Sequence, residues 1–127
     1  MSNEQKETAA GADEIVQVHR EGDVTVVTMN YPERRNAFSM RMRLALTDVF
    51  QRLMNDDPDT RAIVLTGAGG HFCAGGDLSE MHGSTPPLLA LRERIAGGVR
   101  LFKLIYTGTK PVVAAVAGSC YGAGVSL

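Results

Sequence analysis

Cysteine is scarce in this chain: Cys73 and Cys120 are the only two in 127 residues. They form neither a CxxC redox motif nor a zinc-ligand spacing, and they read as free thiols of a reducing compartment. Neither sign of charge is in excess. The formal net charge is −1, and the 13 Lys and Arg residues are scattered, with only Arg34 and Arg35 adjacent. Without a basic stripe to neutralise a phosphate backbone, no nucleic-acid partner is expected. Long apolar runs are also missing, since none approaches the ~20 residues that span a bilayer. Residues Met1 to Glu14 carry Glu4, Glu7, Asp13 and Glu14 and lack the apolar segment of a signal peptide. The expectation is a cytoplasmic protein with no membrane association and a disordered polar N-terminus over residues 1–14.

What remains is an ordinary globular profile, 44% hydrophobic and 21% charged, in a length that suits one domain or part of one. Ile15, Val16 and Val18, then Val24, Val26 and Val27, make two β-branched runs. Glu21-Gly22-Asp23 supplies a turn between them, so the spacing predicts a β-hairpin. Tyr31-Pro32 ends the second run, because proline cannot donate to a ladder. From Ser39, an N-cap residue type, apolar positions recur at Met42, Leu46, Val49, Phe50 and Leu53, the stripe of an amphipathic helix ending at Asn55 to Pro58. Ile63-Val64-Leu65 is a continuous apolar run, as expected of a strand buried on both faces. After Pro86-Pro87 a second helical stripe takes in Leu88, Leu91, Ile95, Val99, Phe102 and Tyr106, interrupted at Gly97-Gly98. Lys110-Pro111 opens another buried-looking strand, Val112 to Val116, with Lys110 a structural residue at its start. Val125-Ser126-Leu127 reads as the first turn of a further helix, so the sequence is expected to be the front part of a longer domain. Strands alternating with helices predict an α/β fold with functional loops at the carboxyl ends of the strands.

Two glycine-rich turns follow buried strands. Gly67 to Leu78 holds five glycines in twelve positions. Such a loop either aims successive N–H groups into an anion-binding nest or is a surface loop that needs glycine to turn. Asp77 is placed to cap a short helix over Leu78 to Met81. The second turn, Gly118 to Gly124, precedes a helix start. It fits either oxyanion stabilisation by backbone N–H groups or close packing around small residues.

Three segments together resemble the crotonase superfamily, the enoyl-CoA hydratase/isomerase family. Pro32-Glu33-Arg34-Arg35-Asn36-Ala37-Phe38-Ser39 is similar to its Pro-x-x-x-Asn-Ala-Leu loop. Phe72-Cys73-Ala74-Gly75-Gly76-Asp77-Leu78 resembles its Phe-x-Ala-Gly-x-Asp-Leu signature. Lys110-Pro111-Val112-Val113-Ala114-Ala115-Val116-Ala117-Gly118 with Gly122-Ala123-Gly124 resembles the segment leading to its Gly-Gly-Gly turn. The resemblance implies a crotonase-like spiral of ββα units, truncated before a C-terminal helical region, over residues 15–127. It implies an acyl-CoA substrate with no metal or cofactor, and an oxyanion hole made of the Gly76 and Ala123 backbone N–H groups. Arg34, Arg35, Ala37, Ala74, Asp77 and Leu78 fall on the family's coenzyme A and acyl contacts. The intact protein is expected to assemble as a homotrimer or hexamer, and this stretch alone to be inactive and prone to association through exposed strand edges.

One position departs from the pattern. Family hydratases place their first glutamate two residues past the last glycine, where this chain has Ser126, and a serine hydroxyl is no carboxylate base near neutral pH. The resemblance therefore tilts toward isomerase-like chemistry with a single carboxylate further along. A non-catalytic acyl-CoA-binding or scaffold role is the alternative. A dinucleotide-binding domain is a remote one, since Gly67-Ala68-Gly69 follows a strand but Phe72 stands where a third glycine belongs. His71 and His82 flank the first turn without entering the catalytic set. Cys73 reads as packing rather than as a nucleophile.

Overall fold

The computed structural model describes residues 14–81, 83 and 86–127. The expected disordered segment, apart from Glu14, and His82 lie outside the described residues. Strands β1 (Val16–Glu21) and β2 (Val24–Met29) form the predicted hairpin, antiparallel with Glu21 opposite Val24. Gly22 takes a positive φ of 60° in the two-residue turn, a conformation that glycine adopts without the Cβ penalty. A 3-10 turn, Pro32–Arg34, leads to helix α1 (Met40–Asn55). Beyond α1 come β3 (Ala62–Gly67), the short helix α2 (Leu78–Met81), the long helix α3 (Leu88–Thr107), β4 (Val112–Ala114) and a final turn of helix, α4 (Ala123–Ser126).

One mixed sheet runs in the order β1-β2-β3-β4. The β2–β3 and β3–β4 pairs are parallel, so β2, β3 and β4 deliver their following loops to one end of the sheet. α1 behaves as its sequence predicts. Ser39 Oγ accepts the Met42 N–H at 3.1 Å, and Met42, Leu46, Val49, Phe50 and Leu53 are all buried. Replacing Ser39 by Ala is expected to lower unfolding stability by about 1 kcal/mol, read as a shift of the urea midpoint with an unchanged slope. Lys110 is structural as expected: its ammonium donates to the carbonyls of Leu53 and Asp57 at the end of α1, where the helix leaves acceptors unpaired.

Three sequence expectations need correction. β3 alternates rather than being buried on both faces: Ile63 and Leu65 are fully buried while Val64 is half-buried, because α1 and α3 cover one face. β4 is shorter than Val112 to Val116 and lies at the sheet edge, with Val113 59% and Val116 54% exposed. The third correction concerns α3, which turns a different side inward than its apolar stripe suggests. Leu101 is fully buried and Phe102, Leu104 and Ile105 pack against the core, whereas Leu88, Ile95, Val99 and Tyr106 are exposed. Apolar residues occur nearly all round α3, so its periodicity left the inward face undetermined. The helix runs unbroken through Gly97-Gly98, where Arg43 of α1 lies across it and donates to Arg94 O at 2.9 Å. With this apolar surface open, the 127-residue chain on its own is expected to self-associate, seen as species heavier than monomer in sedimentation velocity.

Candidate active site at the ends of the parallel strands

Three loops meet at the carboxyl ends of β2, β3 and β4, and Asn36 ties the first to the second. Arg35 and Asn36 both occupy the left-handed region, at φ 49° and 56°, a conformation that asparagine tolerates better than most side chains. The Asn36 side chain is fully buried. Its Oδ1 accepts the Tyr31 N–H at 2.8 Å, and its Nδ2 donates to Ala68 O at 2.9 Å and His71 O at 2.7 Å. Motif membership was the only role for Asn36 legible in the sequence, because two of its three partners lie on a loop reached only through the fold. Further along, Ala74 N donates to Arg35 O at 3.0 Å and Phe38 N to Gly75 O at 2.7 Å. Phe38 and Gly76 thereby become facing bridge partners.

Glu80 of α2 completes this seam, accepting the Met40 N–H at the start of α1 through both oxygens, at 2.9 and 3.2 Å. It is an anion on a helix N-terminus, which favours negative charge. Arg94 of α3 stands 3.9 Å from the same carboxylate. The buried guanidinium of Arg43 sits close by, 6.0 Å from the Phe38 ring centroid. Burial is the largest influence lowering its pKa, with the charge of Arg94 adding to it and that of Glu80 opposing. Sequence periodicity held a signal for Arg43, which stands three residues before Leu46 on the inward side of α1.

The second and third loops are pressed together. Cys73 N donates to Ser119 O, and Tyr121 N donates to Cys73 O, both at 3.0 Å. Ser119 N donates to Nδ1 of His71 at 3.0 Å, so the His71 side chain links these loops. Glycine is required where they touch. A Cβ on Gly75, at φ 91°, would lie 2.8 Å from Tyr121 O and 3.7 Å from the Gly122 Cα. A Cβ on Gly124 would lie 2.4 Å from Cys73 O. Gly75 and Gly122, the residues preceding Gly76 and Ala123, are therefore packed closely against each other. Ala123 is the first residue of α4, a position whose N–H has no partner within the helix.

The other sequence-predicted residues gather unevenly around this point. Ala37 is buried, Ala74 and Gly76 are half-buried, and Arg34, Arg35 and Leu78 are exposed. Asp77 is buried and caps α2, its Oδ1 accepting from Ser79 N at 3.0 Å and from the Ser79 hydroxyl at 2.6 Å. The hydroxyl bond is the largest influence holding the Asp77 carboxyl below its usual range. Burial opposes it, and the Ser79 N–H and the charges of Arg34 and Arg94 reinforce it. A carboxyl with a depressed folded pKa contributes stability that is present above its unfolded value, about 3.9, and lost as pH falls through the folded one. Asp77→Asn is accordingly expected to flatten the decline of stability on the acid side of pH 4, measured by urea melts across that range. Cys73 is completely buried, which pushes its thiol up, and Cys120 is half-buried. Both are free. Ser126 ends α4 with its side chain exposed.

An α/β sheet whose parallel strands bring glycine turns face to face is the crotonase architecture. The model of the enoyl-CoA hydratase/isomerase family matches residues 19–127, and the chain belongs to that family. It is 39% identical over 112 residues to the enoyl-CoA hydratase EchA19 of Mycobacterium tuberculosis, covering 87% of this chain and 41% of that protein. It is 38% identical over 120 residues to the 1,2-epoxyphenylacetyl-CoA isomerase of Escherichia coli, covering 90% and 44%. Among solved structures, an enoyl-CoA hydratase/isomerase from Marinobacter aquaeolei superposes with a TM-score of 0.79 at 31% identity, over 89% of this chain and 45% of that one. The chain thus spans less than half the length of these relatives. Among the described residues no helix is long and apolar enough to cross a membrane.

Proposed function

We propose that the full-length protein binds an acyl-CoA thioester and stabilises its enolate by holding the thioester oxygen between the Gly76 and Ala123 N–H groups. The observation that supports this reading is the close packing of Gly75 against Tyr121 and Gly122, which brings the two glycine turns together. Two fixed N–H donors lower the cost of negative charge on a carbonyl oxygen and need no reorganisation when that charge develops. In this reading Arg34 and Arg35, exposed beside the first turn, meet the phosphates of coenzyme A. Ala37, Ala74, Asp77 and Leu78 border its path. The relatives' names include both hydratases and isomerases, and Ser126 in place of a glutamate favours a single-carboxylate isomerisation. The intact protein is read as a cytoplasmic homotrimer or hexamer, and the 127-residue chain alone as inactive.

Two measurements test the proposal. Calorimetric titration should give binding of an acyl-CoA and none of NAD, and the reverse result would return the dinucleotide reading. Incubation of acyl-CoA with the full-length protein in deuterated solvent should exchange the α-protons of the thioester. Binding without any exchange would support the non-catalytic alternative and sink the enolate mechanism.

A further inference from the structure

We propose that Cys73 and Cys120 form a reversible redox pair whose disulfide ties the two glycine turns of the site together. The two residues are facing partners of a parallel β-bridge. The hydrogen bonds from Cys73 N to Ser119 O and from Tyr121 N to Cys73 O, each 3.0 Å, place Cys73 opposite the residue between Ser119 and Tyr121. Facing residues on neighbouring strands stand about 4.8 Å apart and project from the same face. That separation lies inside the window of about 4.4–6.8 Å between Cα atoms that a disulfide spans. Phe72 N donates to both Ala117 O and Ser119 O, which holds the approach to the bridge in register. The backbone therefore does not have to move far to form the bond.

The environments of the two thiols divide the labour. Cys73 is fully buried under Gly124, whereas Cys120 is half-buried, so a small oxidant reaches Cys120 first. With hydrogen peroxide as oxidant, the Cys120 thiolate attacks one oxygen. An S–O bond forms, the O–O bond breaks and hydroxide leaves, giving the sulfenic acid. The Cys73 sulfur then attacks the Cys120 sulfur. The S–S bond forms, the S–O bond breaks, and water departs with the thiol proton. Two thiols lose two electrons in total and one peroxide becomes two waters. A dithiol reverses the bond by exchange. Buried structural cysteines stay inert when they stand alone; the facing thiol is what gives Cys73 a resolving role. That the bond acts on catalysis rests on the function proposed above, since Gly76 and Ala123 each lie three residues beyond a bridged cysteine.

The test exposes the folded full-length protein to stoichiometric hydrogen peroxide, blocks the remaining thiols and maps the digested peptides by mass spectrometry. The expected result is a linked peptide pair containing Cys73 and Cys120 from within one molecule, loss of both thiols in step, and their full return with dithiothreitol. In Cys120→Ser, Cys73 is expected to stay a free thiol under the same exposure. In Cys73→Ser, Cys120 is expected to stop at a sulfenic acid that dimedone traps. The proposal is overturned if the unmodified chain carries Cys120 on to sulfinic acid while Cys73 stays free, or if the bond joins two molecules. These readouts are independent of activity. A full-length protein that forms the bond but binds no acyl-CoA when reduced loses the functional reading alone, and one that binds acyl-CoA without forming the bond loses only this one.

Discussion

Asn36→Ala is expected to remove on the order of 4 kcal/mol of unfolding stability, a large share of the roughly 5–15 kcal/mol that a folded domain ordinarily has. The side chain makes three hydrogen bonds of 2.7–2.9 Å, one within the loop after β2 and two that join it to the loop after β3, and it is completely buried. Truncation leaves the Tyr31 N–H and the Ala68 and His71 carbonyls without that partner. Each buried polar group left unpaired costs about 1–3 kcal/mol. Alanine also tolerates the left-handed backbone less well than asparagine does. Asn36→Asp should do no better despite its matching shape. It keeps the acceptor for Tyr31 but turns a carboxylate oxygen toward the oxygens of Ala68 and His71, where the amide donates. Urea melts followed by circular dichroism measure both, and a loss below about 1 kcal/mol in either variant would show that the loops hold together without this side chain.

Gly124→Ala is expected to cut acyl-CoA α-proton exchange by the full-length protein about 100-fold, the scale of losing one oxyanion donor. The added Cβ would lie 2.4 Å from Cys73 O and 3.0 Å from Cys73 Cβ. Backbone cannot rotate aside as a flexible side chain can, so α4 must lift away from the first turn and carry the Ala123 N–H with it. Gly70→Ala is the control. Gly70 also lies in the glycine loop, but no atom within 4 Å would meet its Cβ, and its φ of 79° alone penalises alanine. It should cost stability of about 1 kcal/mol with little change in exchange rate. Equal losses in the two variants would mean that the turns tolerate separation, and that their contact does not set the geometry of the site.

How much of this was legible in the sequence depends on how local each cause is. The hairpin and α1 were readable because turn residues, a serine cap and a one-face stripe all act within a few positions. The two glycine turns stood out by density. Their mutual contact did not, since it joins Gly75 to Tyr121 and Cys73 to Gly124 across the sheet. The Asn36 bonds, the Glu80 anchor on Met40 and the Cys73–Cys120 bridge escaped for the same reason. The inward face of α3 was misread because it is chosen by α1 and Arg43 rather than by the helix's own pattern. The expected burial of β4 depended on a covering layer that the described residues do not supply.

The strand pairing has a further consequence, for the order of folding. Only the hairpin pairs strands joined by a short turn. Each parallel strand pair must wait for an intervening helix to close a long crossover. The hairpin is therefore the natural early element, and the rim of loops at the far ends of β3 and β4 comes into being last. A loop cluster assembled this way works as a seal of completion: it exists only on molecules whose sheet has finished zipping from β1 to β4.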